Sequence, residues 1–184
     1  MGGTTAKAAV VRDGRPDLTY DFRIGGAVSG HRGGLSVKVP SVDLVEVGSG
    51  GGSIAWVDAG GALRVGPRSA GAVPGPACYA RGGEHPTVTD ADLVLGYLDT
   101  HLAGGVHLDA ARAEAALRTH VAEPLGIGVV EAAAAVHDLA VAQMGDAVHI
   151  VTVQRGIDPR RFTLVALGGA GPVHAARIAA RFSI

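Results

Sequence analysis

Two glycine-rich turns stand at opposite ends of the 184-residue chain, Gly2-Gly3-Thr4-Thr5 and Gly168-Gly169-Ala170-Gly171-Pro172. Glycine has no Cβ, so such turns let backbone N–H groups approach a phosphate or sugar closely. The first leads into a strand pattern, Ala6 to Val11. The second joins a continuous apolar strand pattern, Phe162 to Leu167, to a helix that Pro172 opens, where a missing N–H costs nothing. A ligand there would sit at a helix N-terminus, which favours anions. Together the turns predict a nucleotide site assembled from two distant segments. A Rossmann fingerprint is not met, because His174 stands where the third glycine belongs. A Walker loop is excluded, since the only lysines, Lys7 and Lys38, follow no such run.

The rest of the chain frames that site. Its 29 glycines are about twice the usual share of roughly 7%. They fall in clusters such as Gly25-Gly26, Gly33-Gly34 and Gly50-Gly51-Gly52, which means tight turns and not a repeat. The net charge of −1 gives no sign of a nucleic-acid partner. No apolar run approaches the roughly 18 residues that would span a bilayer, so no membrane role is expected. Cys78 is the only cysteine, and no signal peptide is visible, so the expected compartment is the cytoplasm.

Periodicity divides the chain into three stretches of one partial domain. Residues 1–65 read as strands. Asp13-Gly14 marks a hairpin, and Leu18 to Ile24 alternates as a half-buried strand. Further strands are expected over Ser36 to Val47 and Ser53 to Val57, with a hairpin at Ala59-Gly60-Gly61-Ala62 leading to Leu63-Arg64-Val65. Residues 66–86 hold four of the nine prolines and read as a long, ordered loop. Residues 87–184 read as helices. One is capped by Thr89 or Asp90; another runs from Asp109 to Val121 and ends at Pro124. The longest spans about Val129 to Val151, with Val129, Ala133, Val136, Ala140, Met144, Ala147 and Val151 as its apolar stripe. Glu131, Asp138, Asp146 and His149 form its polar side.

The remaining chemistry-bearing residues point less sharply. The hydroxyls of Thr4 and Thr5 can donate to phosphate oxygens. Lys7 either adds a charge there or faces solvent. Arg68 and Arg81 are the residues suited to an anionic group. Cys78 lacks a nearby base other than His85, so a structural role is expected. Asp90 and Asp92 most simply cap a helix. His174 touches nucleotide, faces solvent or packs. His31, His85, His101, His107, His120, His137, His149 and His174 show no metal-ligand spacing, so no protein-bound metal is predicted, and no catalytic residue is assigned.

Five ordered stretches carry a resemblance: MGGTTAK at 1–7, VGSGGGSIAWVD at 47–58, GPRSAGAVPGPACYARGG at 66–83, PTVTDADLVLG at 86–96 and LGGAGPVHA at 167–175. The chain is identified by them as a member of the hydantoinase A / 5-oxoprolinase family, to which acetone carboxylase subunits are related. The resemblance implies an α/β fold, the ribonuclease H-like lobe of the actin-like ATPases. It implies ATP and Mg²⁺ as cofactors, phosphate contacts from Gly2, Gly3, Thr4 and Thr5, and adenosine contacts from Gly168, Gly169, Ala170 and Gly171. It further implies a small cyclic amide as substrate, a hydantoinase B-type subunit as partner, and ATP-dependent ring opening. The alternatives are an acetone carboxylase-type subunit and a non-catalytic piece that only binds partner or nucleotide. The family carries an aspartate just before the position of Met1, a further phosphate turn upstream and a continuation after the last helix. The chain is therefore expected to be a piece of a larger subunit, incomplete at both ends, and inactive in isolation.

Overall fold

A computed structural model describes residues 1–20, 22–24, 35–102 and 104–184, with residues 22–24 described as backbone only. The Gly25-Gly26 and Gly33-Gly34 clusters and His31 lie outside the described residues. The expected α/β organisation holds, with strands in the first half and helices in the second.

Strand β1 (Ala6–Ala9) pairs antiparallel with β8 (Leu44–Val47), placing Ala6 opposite Val47. The Asp13-Gly14 hairpin forms between β2 (Val11–Arg12) and β3 (Arg15–Pro16). Asp13 and Gly14 take φ values of 52° and 74°, the pair of positive angles a two-residue turn of this type needs. Short ladders join β4 (Leu18–Thr19) to β7 (Ser41–Val42) and β5 (Phe22–Ile24) to β6 (Leu35–Val37). Leu18 and Tyr20 are exposed, which corrects the expected half-buried face of that strand.

The hairpin of β9 (Ser53–Val57) and β10 (Leu63–Ser69) closes on Asp58. The amides of Gly60 and Ala62 donate to its carboxylate at 3.0 and 2.9 Å, and Arg64 donates at 2.8 Å. Those donors hold the Asp58 carboxyl below its usual range, with the Ala62 amide contributing most. β10 runs on to Ser69, so the expected loop at 66–86 starts as strand.

The rest of that loop is tied down by Asp90. Helix α1 (Val88–Val94) is capped by Thr87, not by Thr89 or Asp90. Asp90 is the third residue of the helix, and its carboxylate accepts from the Thr87 amide at 2.7 Å and the Thr87 hydroxyl at 2.8 Å. It also accepts from the amides of Ala77 and Cys78 at 3.2 and 2.7 Å. A turn of 3₁₀ helix at Ala77–Tyr79 is thereby fixed to the start of α1. The short hairpin of β11 (His101–Leu102) and β12 (Val106–His107) follows.

Asp109 caps α2 (Ala110–Leu117) as expected. The chain does not stop at Val121. It continues as a π-helical turn, Arg118–Ala122, into α3 (Glu123–Leu125). Pro124 offers no N–H to the carbonyl four residues back, and the ladder widens just before it.

Helix α4 (Val129–Val151) has the predicted bounds. Its stripe of Ala133, Val136, Ala140 and Met144 packs with Val88, Ala91, Leu117, Val121 and Ile178 in the main core. Glu131, Asp138, Asp146 and His149 are exposed. Helix α5 (Gly171–Phe182) carries Pro172 in its first turn. Among the described residues no single helix is long and apolar enough to cross a membrane.

Phe162 to Leu167 corrects a further expectation. The segment joins no ladder among the described residues and alternates between half-buried and exposed, with Val165 and Leu167 each 72% exposed. It faces β1 across an apolar cavity of about 550 Å³, whose walls include Ala8, Val10, Met144, Val148 and Leu164. A strand buried on both faces needs a packed layer over each face; here the segment borders the cavity instead.

Candidate functional site

The two terminal turns meet. The Met1 amine donates to the carbonyl of Leu167 at 2.8 Å, and the Ala170 amide donates to the carbonyl of Met1 at 3.3 Å. Gly168, at φ +85°, lies so close that an added Cβ would fall 2.4 Å from the Met1 carbonyl oxygen. Residues 166 positions apart are thus joined by main chain alone.

A third glycine run completes the cluster, and sequence reasoning had not placed it there. The amides of Gly51 and Gly52 donate to the carbonyls of Gly2 and Gly3 at 3.0 and 2.7 Å. Gly50 is locked beneath them: a Cβ on it would sit 2.6 Å from the backbone of Gly3 and Thr4. Thr89, at the start of α1, binds the Gly51 carbonyl through its amide and its hydroxyl, both at 2.8 Å. The signal was present in the sequence as three consecutive glycines, but contact between distant segments carries no periodicity to read.

The inward-facing carbonyls are therefore spent on holding the cluster, while its outer surface is open. Gly2, Gly3, Thr4 and Gly169 are exposed, and no heavy atom lies within 4 Å of where a Cβ on Gly2, Gly3 or Gly169 would be. Lys7 resolves its alternatives by donating to Thr5 Oγ1 at 2.9 Å and to Glu46 at 3.0 Å. The Thr5 hydroxyl in turn hydrogen-bonds the Glu46 carboxylate, and Lys7 first, then Thr5, hold that carboxyl below its usual range.

The sequence profile described as hydantoinase/oxoprolinase matches residues 1–184. The chain belongs to this family. It is 44% identical over 186 residues to the caprolactamase alpha subunit of Pseudomonas jessenii, covering 97% of this chain and 25% of that one. It is 51% identical over 143 residues to the acetophenone carboxylase gamma subunit of Aromatoleum aromaticum, covering 76% and 20%. Among solved structures it matches the ATP-dependent caprolactamase of Pseudomonas jessenii with a TM-score of 0.85 at 41% identity, over 99% of this chain and 26% of that chain. The hydantoinase/oxoprolinase segment seen here thus spans about a quarter of those relatives.

Beneath the glycine cluster, this family member buries a polar group that the sequence did not disclose. Asp92 caps nothing: it faces inward from α1, 2% exposed. Its Oδ1 lies 2.7 Å from Nδ1 of His137 in α4, and its Oδ2 lies 3.4 Å from Nε2 of His174 in α5. The two imidazoles stack with centroids 4.7 Å apart. His174 therefore packs, three residues beyond Gly171. Burial lowers its basicity most, and the neighbouring His137 adds to this. His137, outside the apolar stripe that helical spacing marked, is buried on α4 beside Val136.

Of the other candidates, Cys78 is fully buried, and burial together with the Asp90 charge pushes its thiol far above the ordinary range. Arg81 lies over the Tyr79 ring at 5.7 Å, and Arg68 is exposed on β10. Neither arginine is part of the hydrogen-bonded glycine cluster.

Proposed function

We propose that this chain is the part of a hydantoinase/oxoprolinase-type subunit that grips ATP for the opening of a small cyclic amide. The carrying observation is the convergence of residues 1–5, 50–52 and 168–171 into one backbone-built, outward-open surface. Close main-chain packing with no Cβ in the way suits phosphate and ribose. Gly2, Gly3, Thr4 and Thr5 would hold phosphates, and Gly168, Gly169, Ala170 and Gly171 the adenosine. The Gly168–Gly171 turn leads into α5, whose N-terminal dipole end favours an anion.

When bound, ATP would supply a phosphoryl group that activates the amide carbon toward water, so that the ring C–N bond breaks with release of ADP and phosphate. None of residues 1–5, 50–52 or 168–171 is a carboxylate. Mg²⁺ would need its protein ligands from outside this set, and these residues would contribute orientation and hydrogen bonds to the phosphates. The caprolactamase and acetophenone carboxylase relatives are each named as one subunit of an enzyme, which supports a partner subunit, read here as B-type, and the free, buried Cys78 suits a cytoplasmic setting.

The decisive test is ATP-dependent turnover by the complete subunit with its partner, offered hydantoin, 5-oxoproline and caprolactam. Ring opening with matching ATP consumption is expected, and a Gly168→Ala substitution abolishes it. The isolated 184-residue chain is expected to turn over none. The 51% identity to a carboxylase subunit favours a second reading. Bicarbonate-dependent consumption of acetone or acetophenone, without amide hydrolysis, would establish that one instead.

A further inference from the structure

We infer that Asp92, His137 and His174 form a binding site for a divalent transition metal of the zinc type, clamping α1, α4 and α5 together. One donor atom from each side chain lies within 4.8 Å of the other two, and all three side chains are at most 2% exposed. One carboxylate and two imidazoles make a donor set that zinc and its neighbours accept, with a solvent molecule as the fourth ligand.

Two independent observations point to a cation. The first is charge. Among the described residues, the ion-pair partners of Asp92 are these two histidines, with no lysine or arginine. A buried carboxylate without a counter-charge is costly. Two neutral imidazoles leave the negative charge standing, whereas a divalent ion leaves the group one unit positive. The second is unused bonding capacity. Nε2 of His174, 3.4 Å from Asp92 Oδ2, is buried with no hydrogen-bond partner, which is uncommon for buried polar atoms, and it is the atom that an ion beside the carboxylate would take.

Little has to move. The 2.7 Å between His137 Nδ1 and Asp92 Oδ1 is a hydrogen bond. It would open to about 3.3 Å around a tetrahedral ion with bonds near 2.0 Å. The Nδ1 proton shifts to Nε2 of the same ring, and the freed lone pair binds the ion. Tyr97, its ring centroid 4.9 Å from that of His137, is 48% exposed and lies between the group and solvent-facing surface. The ion does no chemistry on substrate. It fixes His174, and with it the first turn of the helix that carries the Gly168–Gly171 turn.

The test uses the full chain stripped of metal with a chelator and titrated with Co²⁺. One equivalent is expected, with the visible absorption of a low-coordinate nitrogen/oxygen site and no thiolate band, and Zn²⁺ then displaces it. Asp92→Asn and His174→Gln each weaken binding by about tenfold or more, while Cys78→Ser leaves the spectrum unchanged. Wild-type protein that takes up no stoichiometric Co²⁺ or Zn²⁺ overturns the inference whatever the variants do. So does a Co²⁺ spectrum that survives both ligand substitutions. Neither result bears on nucleotide binding, which is read separately.

Discussion

Gly168 holds φ at +85°, and a Cβ placed on it would lie 2.4 Å from the carbonyl oxygen of Met1. Both facts forbid a side chain there. Alanine must either strain in the left-handed region or push residue 1 away. Gly168→Ala is expected to cost roughly 2–4 kcal/mol, measured by urea unfolding, and to weaken ATP binding with it. Gly169→Ala is the comparison. That Cβ would meet nothing within 4 Å, so its unfolding midpoint should stay close to the parent value. Equal destabilisation by both would show that the turn is not held against residue 1.

Asp90 organises the proline-rich stretch more than any residue within it. Its carboxylate accepts four hydrogen bonds, three of them from backbone amides. Asp90→Ala leaves the amides of Ala77, Cys78 and Thr87 buried and unmatched. A loss of roughly 3 kcal/mol or more is expected, with faster proteolysis within residues 70–86 as its local signature. Asn retains one acceptor oxygen and should recover part of that loss. If Asp90→Asn and Asp90→Ala unfold alike, the carboxylate is not what anchors the loop.

What could be read in advance follows from how each feature is encoded. The long helix α4 was legible to its ends because one apolar stripe repeats over many turns. The Asp13-Gly14 and Ala59–Ala62 hairpins were legible because their turns name themselves in composition. The glycine turns were legible as turns, but their meeting and the part played by Gly50-Gly51-Gly52 depend on hydrogen bonds across almost fifty residues or more. The strand expected at Phe162–Leu167 failed for a related reason, since an apolar run says nothing about whether a neighbour pairs with it. The Asp92–His137–His174 group was hidden most thoroughly. Each member sits on a different helix; Asp92 read locally as a cap, and the histidines showed no ligand spacing along the chain.

Thr89 links that third glycine run to α1. Its hydroxyl donates to the Gly51 carbonyl at 2.8 Å alongside its own amide. Thr89→Val keeps the shape and removes one bond, so about 1 kcal/mol of stability should be lost. Because Gly51 in turn holds the Gly2 carbonyl, ATP binding should weaken several-fold as well. Unchanged nucleotide affinity in a stable Thr89→Val protein would separate the glycine run from the site.

Cys78 provides a chemical readout of folding. The thiol is fully buried, and burial, followed by the charge of Asp90, raises it far above its unperturbed value of 9.0. A folded protein therefore keeps this proton where the unfolded chain releases it. The stability contribution is whole below the unfolded thiol range and is lost progressively as pH rises above it. Two results are expected. A thiol reagent should label Cys78 at the rate of unfolding, with no acceleration between pH 7 and pH 8.5 beyond that of the unfolding rate itself. Cys78→Ala should flatten the fall of the urea midpoint above pH 9 while lowering the midpoint at pH 7. Rapid stoichiometric labelling of the native protein at pH 7 would show an accessible, ionised thiol and would place Cys78 among the reactive groups.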